Sequence, residues 1–264
     1  MEGHEEAGAG FARLSEIIGT LRGENGCPWD REQDERTILS YLLEEVYEAV
    51  EAVQTGKAEA VLEELGDVLM EVVFLARIFE EKGAFRLSDA VESINRKMTV
   101  RHPHVFGTAR LDSSRRVLEA WHRQKREEKN RDSLFDGLSR TLPALAAAFQ
   151  IGQRASSVGF DWRRAEEAEV KLREEMAELS SAMEAGDRAA VDHEVGDLLF
   201  AAANVARKAG VNPEMALLQA NARFLERFAH IEKRLKDSGR ELAGTTLEEM
   251  DALWEEAKSR EVDG

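Results

Sequence analysis

The chain has 264 residues, with 52 acidic and 36 basic side chains and a formal net charge of −16 at pH 7. This acidic balance argues against binding to the nucleic acid backbone, which attracts basic surfaces. The single cysteine excludes an intrachain disulfide. The sequence shows no signal peptide, and no apolar run approaches the roughly 20 residues of a membrane span. We therefore expect a cytoplasmic protein without a membrane partner.

Helical periodicity dominates the sequence. Only 4 prolines interrupt it, and apolar residues recur at three- and four-residue spacing, which predicts an all-α fold. Apolar residues form one stripe from residue 38 to 54. They cover a wider face from residue 58 to 82, so we expect this second helix to be largely buried. Gly83 is expected to end it.

The next predicted helices complete the first half of the chain. One begins at Ser88, a suitable N-cap, and ends before Pro103. Another spans residues 113–129. The polar segment 130–141 is the expected boundary between two halves, and Pro143 suits the first turn of the helix that follows.

One arrangement of carboxylates occurs twice, 130 residues apart. Glu44-Glu45-x-x-Glu48 is followed by Glu64-x-x-Asp67, and Glu174-Glu175-x-x-Glu178 is followed by Glu194-x-x-Asp197. A turn glycine, Gly56 or Gly186, lies midway in each copy. In a helical hairpin, residues at equal distances from the turn lie level, so Glu48 pairs with Glu64 and Glu45 with Asp67. The second copy pairs Glu178 with Glu194 and Glu175 with Asp197.

Four carboxylates at this density repel one another unless a cation compensates them. A set of ligands made only of oxygen favours Mg²⁺, with Mn²⁺ as a possible substitute, over zinc. Two alternatives stay open at this point. The acidic residues also suit the solvated face of an interaction module, and a di-iron bundle also gathers glutamates, although it requires Glu-x-x-His.

The repeat extends beyond the acidic residues and predicts two domains, 1–130 and 131–264. Trp29 matches Trp162, and Trp121 matches Trp254, at an offset of 133 residues; Asn95-x-Lys97-x-x-x-Arg101 matches Asn221-x-Arg223-x-x-x-Arg227. Paired cations one helical turn apart suit a polyphosphate, and each asparagine adds a hydrogen-bonding group. The tryptophans either fill the core or stack on a base, and Trp254 is the one we expect to stack. Gly66 and Gly196 mark either a helix contact or room for a ligand.

The ordered motifs resemble the MazG family of nucleoside triphosphate pyrophosphohydrolases. They are Cys27-Pro28-Trp29-Asp30, Glu44-Glu45-x-x-Glu48, Glu64-Leu65-Gly66-Asp67 and Arg101-His102-Pro103-His104-Val105-Phe106, with Gly159-Phe160-Asp161-Trp162 opening the second copy. The resemblance implies two tandem helical bundles, a homodimer, and Mg²⁺-dependent cleavage of NTPs or dNTPs to monophosphate and pyrophosphate, for cleansing or regulation of the nucleotide pool.

The resemblance also implies roles for individual residues. The metal ligands would be Glu45, Glu48, Glu64 and Asp67 in the first copy and Glu175, Glu178, Glu194 and Asp197 in the second. The substrate contacts that it implies are Lys171, Arg223, Arg227 and Trp254. To these we add Glu174 and, from the pattern of the basic helices, Asn221, Asn95, Lys97 and Arg101. Glu44 and Glu174 are our candidates to orient or deprotonate the attacking water. The sequence leaves open whether one copy or both are active.

Overall fold

The computed structural model describes residues 2–113, 116–117, 120–121 and 133–262, and these ranges contain helices and no strand. The prediction of an all-α fold is confirmed. Two compact units divide the chain, Met1–Trp121 (unit 1) and His122–Gly264 (unit 2). The predicted domain limits and most of the helix predicted at 113–129 fall outside the described ranges, so both stay predictions. No helix in the described part of the chain is long and apolar enough to cross a lipid bilayer.

Unit 1 is built around an antiparallel helical hairpin. Its helices are α1 (Glu2–Leu21), α2 (Pro28–Glu32), α3 (Glu35–Thr55), α4 (Ala58–Glu81), α5 (Leu87–Arg101) and α6 (Pro103–Phe106). The hairpin is formed by α3 and α4, and both α1 and α5 pack against α4. The core is a cluster of large side chains buried between these helices, Ile18, Ile38, Val73, Phe74 and Ile78.

Unit 2 repeats the hairpin with different surroundings. Its helices are α7 (Ala144–Ser156), α8 (Ala165–Ala185), α9 (Arg188–Lys208), α10 (Pro213–Asp237) and α11 (Leu247–Val262). The hairpin is α8 and α9, α7 packs against α9, and α11 packs against α10. Alanines are frequent in its core, with Ala168, Ala182, Ala201, Ala203 and Ala257 buried beside Ile231 and Leu235.

Both hairpins turn at the predicted glycines. Gly56 ends α3 with φ 69°, and Gly186 ends α8 with φ 68°. This left-handed conformation is accessible to glycine without steric cost. In unit 2 the next residue, Asp187, accepts hydrogen bonds from the first amides of α9. The turn chemistry therefore fixes where each pair of helices folds back.

The structure agrees with two of four predicted helix ends and differs at the other two. Gly83, with φ 67°, follows the end of α4, and α5 ends at Arg101, as predicted. Ser88 is not the N-cap of α5, because the helix begins at Leu87 and the Asp89 carboxylate accepts a hydrogen bond from the Arg86 amide at 2.8 Å. Pro143 precedes α7 as its N-cap instead of lying within the first turn.

The expectation that α4 is largely buried is wrong for one of its faces. Leu62 is 75% exposed, Leu65 56% and Leu69 41%, whereas Val73 is fully buried. Helices α1, α3 and α5 pack against other sides of α4, and this stripe stays exposed among the residues that the structure describes. A Cβ added at Gly66 on α4, or at Gly196 on α9, would meet no atom of the described chain within 4 Å, so neither glycine serves a helix contact within its unit.

Candidate active site

The unit 1 hairpin brings three predicted ligands together. Glu45 on α3 faces Glu64 and Asp67, which are three residues apart on α4 and share one side of that helix. One carboxylate oxygen from each lies within 4.8 Å of the others. Glu48, the fourth predicted ligand, lies outside this group on the exposed part of α3, although its charge still acts on Glu45 and Glu64. We call Glu45, Glu64 and Asp67 the unit 1 cluster.

Unit 2 repeats the arrangement with Glu175, Glu194 and Asp197, the unit 2 cluster, whose oxygens also lie within 4.8 Å of one another. Glu178, like Glu48, is outside the close group. Burial, and then the neighbouring Glu175, raises the pKa of the Glu178 carboxyl. In both copies the structure therefore unites three of the four predicted carboxylates and places the fourth beside them.

The unit 1 cluster is electrostatically unfavourable as it stands. Burial, and then the charges of Glu48 and Asp67, raises the pKa of Glu45. Burial and then Glu48 likewise raise the pKa of Glu64. The leading contributions for both groups come from burial and from acidic neighbours, so each carboxyl holds its proton more tightly than usual.

Glu71 is a residue of this site that the sequence reasoning missed. It lies on α4, one helical turn beyond Asp67, and is only 5% exposed. Its Oε2 atom is buried without a hydrogen-bond partner among the described residues. Burial, and then the charges of Glu45 and Asp67, raises the pKa of Glu71 to about 7. The spacing Glu64-x-x-Asp67-x-x-x-Glu71 is the signal that could have revealed it, because these positions share one helix face.

In unit 2 a lysine compensates part of the carboxylate charge. The Lys171 ammonium donates to the Glu174 carboxylate at 2.7 Å and lies 2.8 Å from Glu175. Lys171 lowers the pKa of the buried Glu175, and Glu174 and then Glu175 raise the pKa of Lys171. At the repeat offset of 130 residues, unit 1 has Tyr41 in place of Lys171, and unit 2 has Ala201 in place of Glu71.

The predicted basic helices carry the same arginine and tryptophan contact in both units. The Arg101 guanidinium lies 5.7 Å from the centre of the Trp121 ring, and the Arg227 guanidinium lies 5.4 Å from that of Trp254. The Phe224 ring is a further neighbour of Trp254, at 5.1 Å. The other predicted substrate residues on these helices, Asn95, Lys97, Asn221 and Arg223, have exposed side chains. Their contacts with a nucleotide stay predictions.

Comparison with known proteins identifies the family. The MazG nucleotide pyrophosphohydrolase domain matches residues 33–106 and 164–234, which include both acidic hairpins. The chain belongs to the MazG family.

Two relatives that the chain covers almost completely agree with this assignment, and a third is matched over about half of its length. The chain is 40% identical over 256 residues to the nucleoside triphosphate pyrophosphohydrolase/pyrophosphatase MazG of Thermotoga maritima, covering 96% of this chain and 98% of that protein. It is 40% identical over 257 residues to the nucleoside triphosphate pyrophosphohydrolase of Escherichia coli strain K12, covering 95% of this chain and 98% of that protein. It is also 43% identical over 254 residues to the uncharacterized protein YabN of Bacillus subtilis, of which it covers 52%.

Membership of the MazG family confirms the resemblance seen in the motifs, the enzyme class and the tandem architecture, because the domain matches twice. The two alternatives, a di-iron bundle and an acidic interaction module, are therefore set aside. Family membership assigns no role to an individual residue of this chain, so the predicted roles of the ligands and substrate contacts rest on their geometry.

Proposed function

We propose that this chain hydrolyses nucleoside triphosphates, NTPs or dNTPs, to the monophosphate and pyrophosphate with Mg²⁺, in cleansing or regulation of the cytoplasmic nucleotide pool. The observation that carries the proposal is the cluster of three carboxylates on each hairpin, with oxygens within 4.8 Å of one another. Such a cluster fits a hard divalent cation, and the absence of nitrogen and sulfur ligands within it favours Mg²⁺ or Mn²⁺.

The residues that would hold the cation are the three members of each cluster, with Glu48 or Glu178 as the fourth. Glu48 acts electrostatically on Glu45, and Glu178 interacts with Glu175, so we expect a change of side-chain torsion to bring each of them into its cluster. When bound, a divalent cation neutralises charge on the triphosphate and lowers the pKa of a coordinated water. The clusters therefore provide both the position and the charge that hydrolysis of a phosphoanhydride requires.

Glu174 and Glu44 are the proposed groups that orient or deprotonate the attacking water. The Glu174 carboxylate accepts a hydrogen bond from Lys171. A triphosphate competes for the same ammonium group, because phosphate oxygens carry more charge than one carboxylate. We expect Lys171 to turn towards the phosphates when the nucleotide binds, which frees Glu174 to accept a proton from water. Glu44 is exposed and would act without such a lysine, because its copy has Tyr41 instead.

The basic helices would hold the rest of the nucleotide. Arg223 and Arg227 suit the phosphates of the pyrophosphate leaving group, since a guanidinium binds phosphate through two parallel hydrogen bonds. The contact of Arg227 with the Trp254 ring holds the arginine in place before the substrate arrives. Asn221 would add a hydrogen bond, and Trp254 would stack on the base. Asn95, Lys97 and Arg101 are the corresponding groups of unit 1.

We also propose that the chain forms a homodimer through its hairpins. The stripe on α4 exposes Leu62, Leu65 and Leu69, and α9 exposes Leu199, which is 53% accessible. Apolar stripes on the same helix of each repeat are costly in water, and a second copy would cover them. Light scattering on the purified protein should give twice the chain mass, and Leu65→Glu should shift it to the monomer. A monomeric wild-type chain would exclude this part of the proposal.

The catalytic proposal is tested by pyrophosphate release from a panel of NTPs and dNTPs with Mg²⁺. A double variant, Asp67→Asn with Asp197→Asn, removes one ligand from each cluster and is expected to be inactive. Asp192→Asn is the control, because Asp192 is an exposed residue of α9 whose ion pair with Arg188 lies on the surface. Full activity of the double variant would rule out the clusters as metal sites.

A further inference from the structure

Glu71 gives unit 1 a feature that the proposed reaction does not need. Glu71 is 5% exposed, and its Oε2 atom has no hydrogen-bond partner in the described part of the chain. This is unfavourable in a folded protein, because buried polar groups are almost always hydrogen-bonded. The charged groups that act most strongly on Glu71 are Glu45, Asp67 and Asp30, all acidic. The packing thus buries a further acidic side chain within the electrostatic influence of Glu45 and Asp67, in a cluster whose own leading contributions are also burial and acidic neighbours.

A bound cation accounts for this arrangement. An ionised carboxylate is buried in proteins when it is paired or when it coordinates a metal. The leading electrostatic contributions at Glu71 contain no basic group. The fold does not require an acidic residue at this position, because the corresponding residue of unit 2 is the buried Ala201. Glu71 is therefore a particular property of unit 1.

The two clusters differ in the charge that they offer to a metal. In unit 2 the Lys171 ammonium already lies against Glu175, so a cation must displace it or share the carboxylate. In unit 1 the corresponding residue is Tyr41, and Glu71 adds a further carboxylate. Coulombic attraction for a divalent ion is therefore stronger at unit 1 before any phosphate is present.

We propose that Glu71 is an additional carboxylate of the unit 1 metal site, and that this site holds a divalent cation without nucleotide, whereas the unit 2 cluster takes up its cation together with the nucleotide. This inference rests on the proposed metal-dependent function and deepens it. It assigns the unit 1 ion a resident position and the unit 2 ion a position that is filled each time a nucleotide binds.

The test is a titration of the metal-free, full-length chain with Mn²⁺ alone, in which the free ion is followed by electron paramagnetic resonance. We expect one Mn²⁺ to bind tightly per chain. Asp67→Asn should abolish this binding and Asp197→Asn should leave it. Glu71→Gln keeps the shape of the side chain and removes its charge, and it should weaken binding about 10- to 100-fold, the range found for groups that support a metal site. Glu59→Gln, at an exposed acid of the same helix, should bind Mn²⁺ as the wild type does.

A second variant tests whether Lys171 keeps the unit 2 cluster free of a cation in the absence of nucleotide, and this test does not depend on whether Glu71→Gln folds. Lys171→Met removes the ammonium group that faces Glu175, and a second Mn²⁺ should then bind without nucleotide. The inference is overturned if Glu71→Gln retains wild-type affinity, if the tight ion is lost in Asp197→Asn, or if Lys171→Met still binds one ion.

Pyrophosphate release by the wild type, measured in parallel, separates this inference from the proposed function. Wild-type chain that binds Mn²⁺ as expected but releases no pyrophosphate would refute the proposed reaction and leave Glu71 as a ligand. Active wild type with an unaffected Glu71→Gln titration would refute only the role of Glu71.

Discussion

The two hairpins share a scaffold and differ in how they compensate their carboxylates. Both fold at a left-handed glycine and both gather three acidic oxygens within 4.8 Å. Unit 2 compensates the charge internally, through Lys171. Unit 1 has Tyr41 at the corresponding position and adds the buried Glu71, and the leading contributions at Glu71 are burial and acidic groups. A repeated sequence motif thus gives two carboxylate sites that differ in their local charge. On the inference above, the unit 2 cluster, which has Lys171, can release and rebind its cation, whereas the unit 1 cluster keeps its cation bound.

The cores of the two units differ in a related way. Unit 1 buries large side chains such as Ile38 and Phe74 around its hairpin, whereas unit 2 buries Ala201 and Ala203 along α9. Burial of a large aliphatic side chain contributes about 1.5 to 3 kcal/mol, and an alanine contributes much less. We infer that unit 1 has the more strongly packed hairpin, which suits a scaffold, and that the hairpin of unit 2 is easier to adjust around a substrate.

The largest expected effect would separate the units by activity. Asp197→Asn should lower the rate of pyrophosphate release about 100- to 1,000-fold, a loss typical of removing one group that stabilises transition-state charge. Asp67→Asn should leave most of the activity, because unit 2 alone combines a cluster, Lys171 and the paired aromatic rings of Phe224 and Trp254. The rate with saturating dNTP and Mg²⁺ measures both. Equal losses in the two variants would show that the repeats are catalytically equivalent.

A core substitution tests whether unit 1 acts as a scaffold. Ile38 is 1% exposed and packs in the hydrophobic core of unit 1. Ile38→Ala should lower the free energy of unfolding of unit 1 by about 3 kcal/mol, through lost burial and the cavity that remains. Leu39→Ala is the matched control, because Leu39 is 57% exposed and its truncation should have little effect. Urea unfolding followed by circular dichroism measures both, and equal losses would contradict the core assignment.

The pH dependence of stability provides a third comparison. In metal-free protein the folded state keeps the Glu71 proton up to about pH 7, whereas the unfolded state releases it near the ordinary value of 4.5. Between these values the folded state binds more protons, so the free energy of unfolding falls as the pH rises. The loss between pH 5 and pH 8 should be on the order of 2 kcal/mol at this site. Urea titrations in EDTA at both pH values should find a smaller loss for Glu71→Gln, and an unchanged loss would exclude Glu71 as its origin.

Local chemistry explains which parts of this molecule were predictable. The hairpin turns followed from Gly56 and Gly186, since a left-handed residue is needed where α3 or α8 ends. The meeting of Glu45 with Asp67 followed from their equal distances to that turn, whereas the partner predicted for Glu64 was Glu48. Helical periodicity and equal offsets are properties of the chain alone, so a sequence is sufficient to specify them.

Other features depend on tertiary packing and escaped prediction. Glu48 and Glu178 lie beside their clusters because helix rotation and side-chain torsions, which the spacing does not specify, decide which oxygens meet. Glu71 stands between Met70 and Val72 in an apolar run, and only the packing around α4 reveals that its carboxylate is buried. The exposure of Leu62 was missed for a similar reason, because periodicity indicates an apolar face without naming what covers it.

The smallest expected effect concerns the two arginine and tryptophan contacts. Trp254 has both Arg227 and the Phe224 ring as neighbours, and a base that stacks there would gain about 1 to 3 kcal/mol. Trp254→Leu should therefore weaken binding of a non-hydrolysable dNTP analogue about fivefold at the low end of that range, as measured by calorimetry. Trp121→Leu, which removes the corresponding ring of unit 1, should leave the affinity of unit 2 unchanged. If the two variants weaken binding equally, both units bind nucleotide, and the contrast between their clusters concerns metal binding alone.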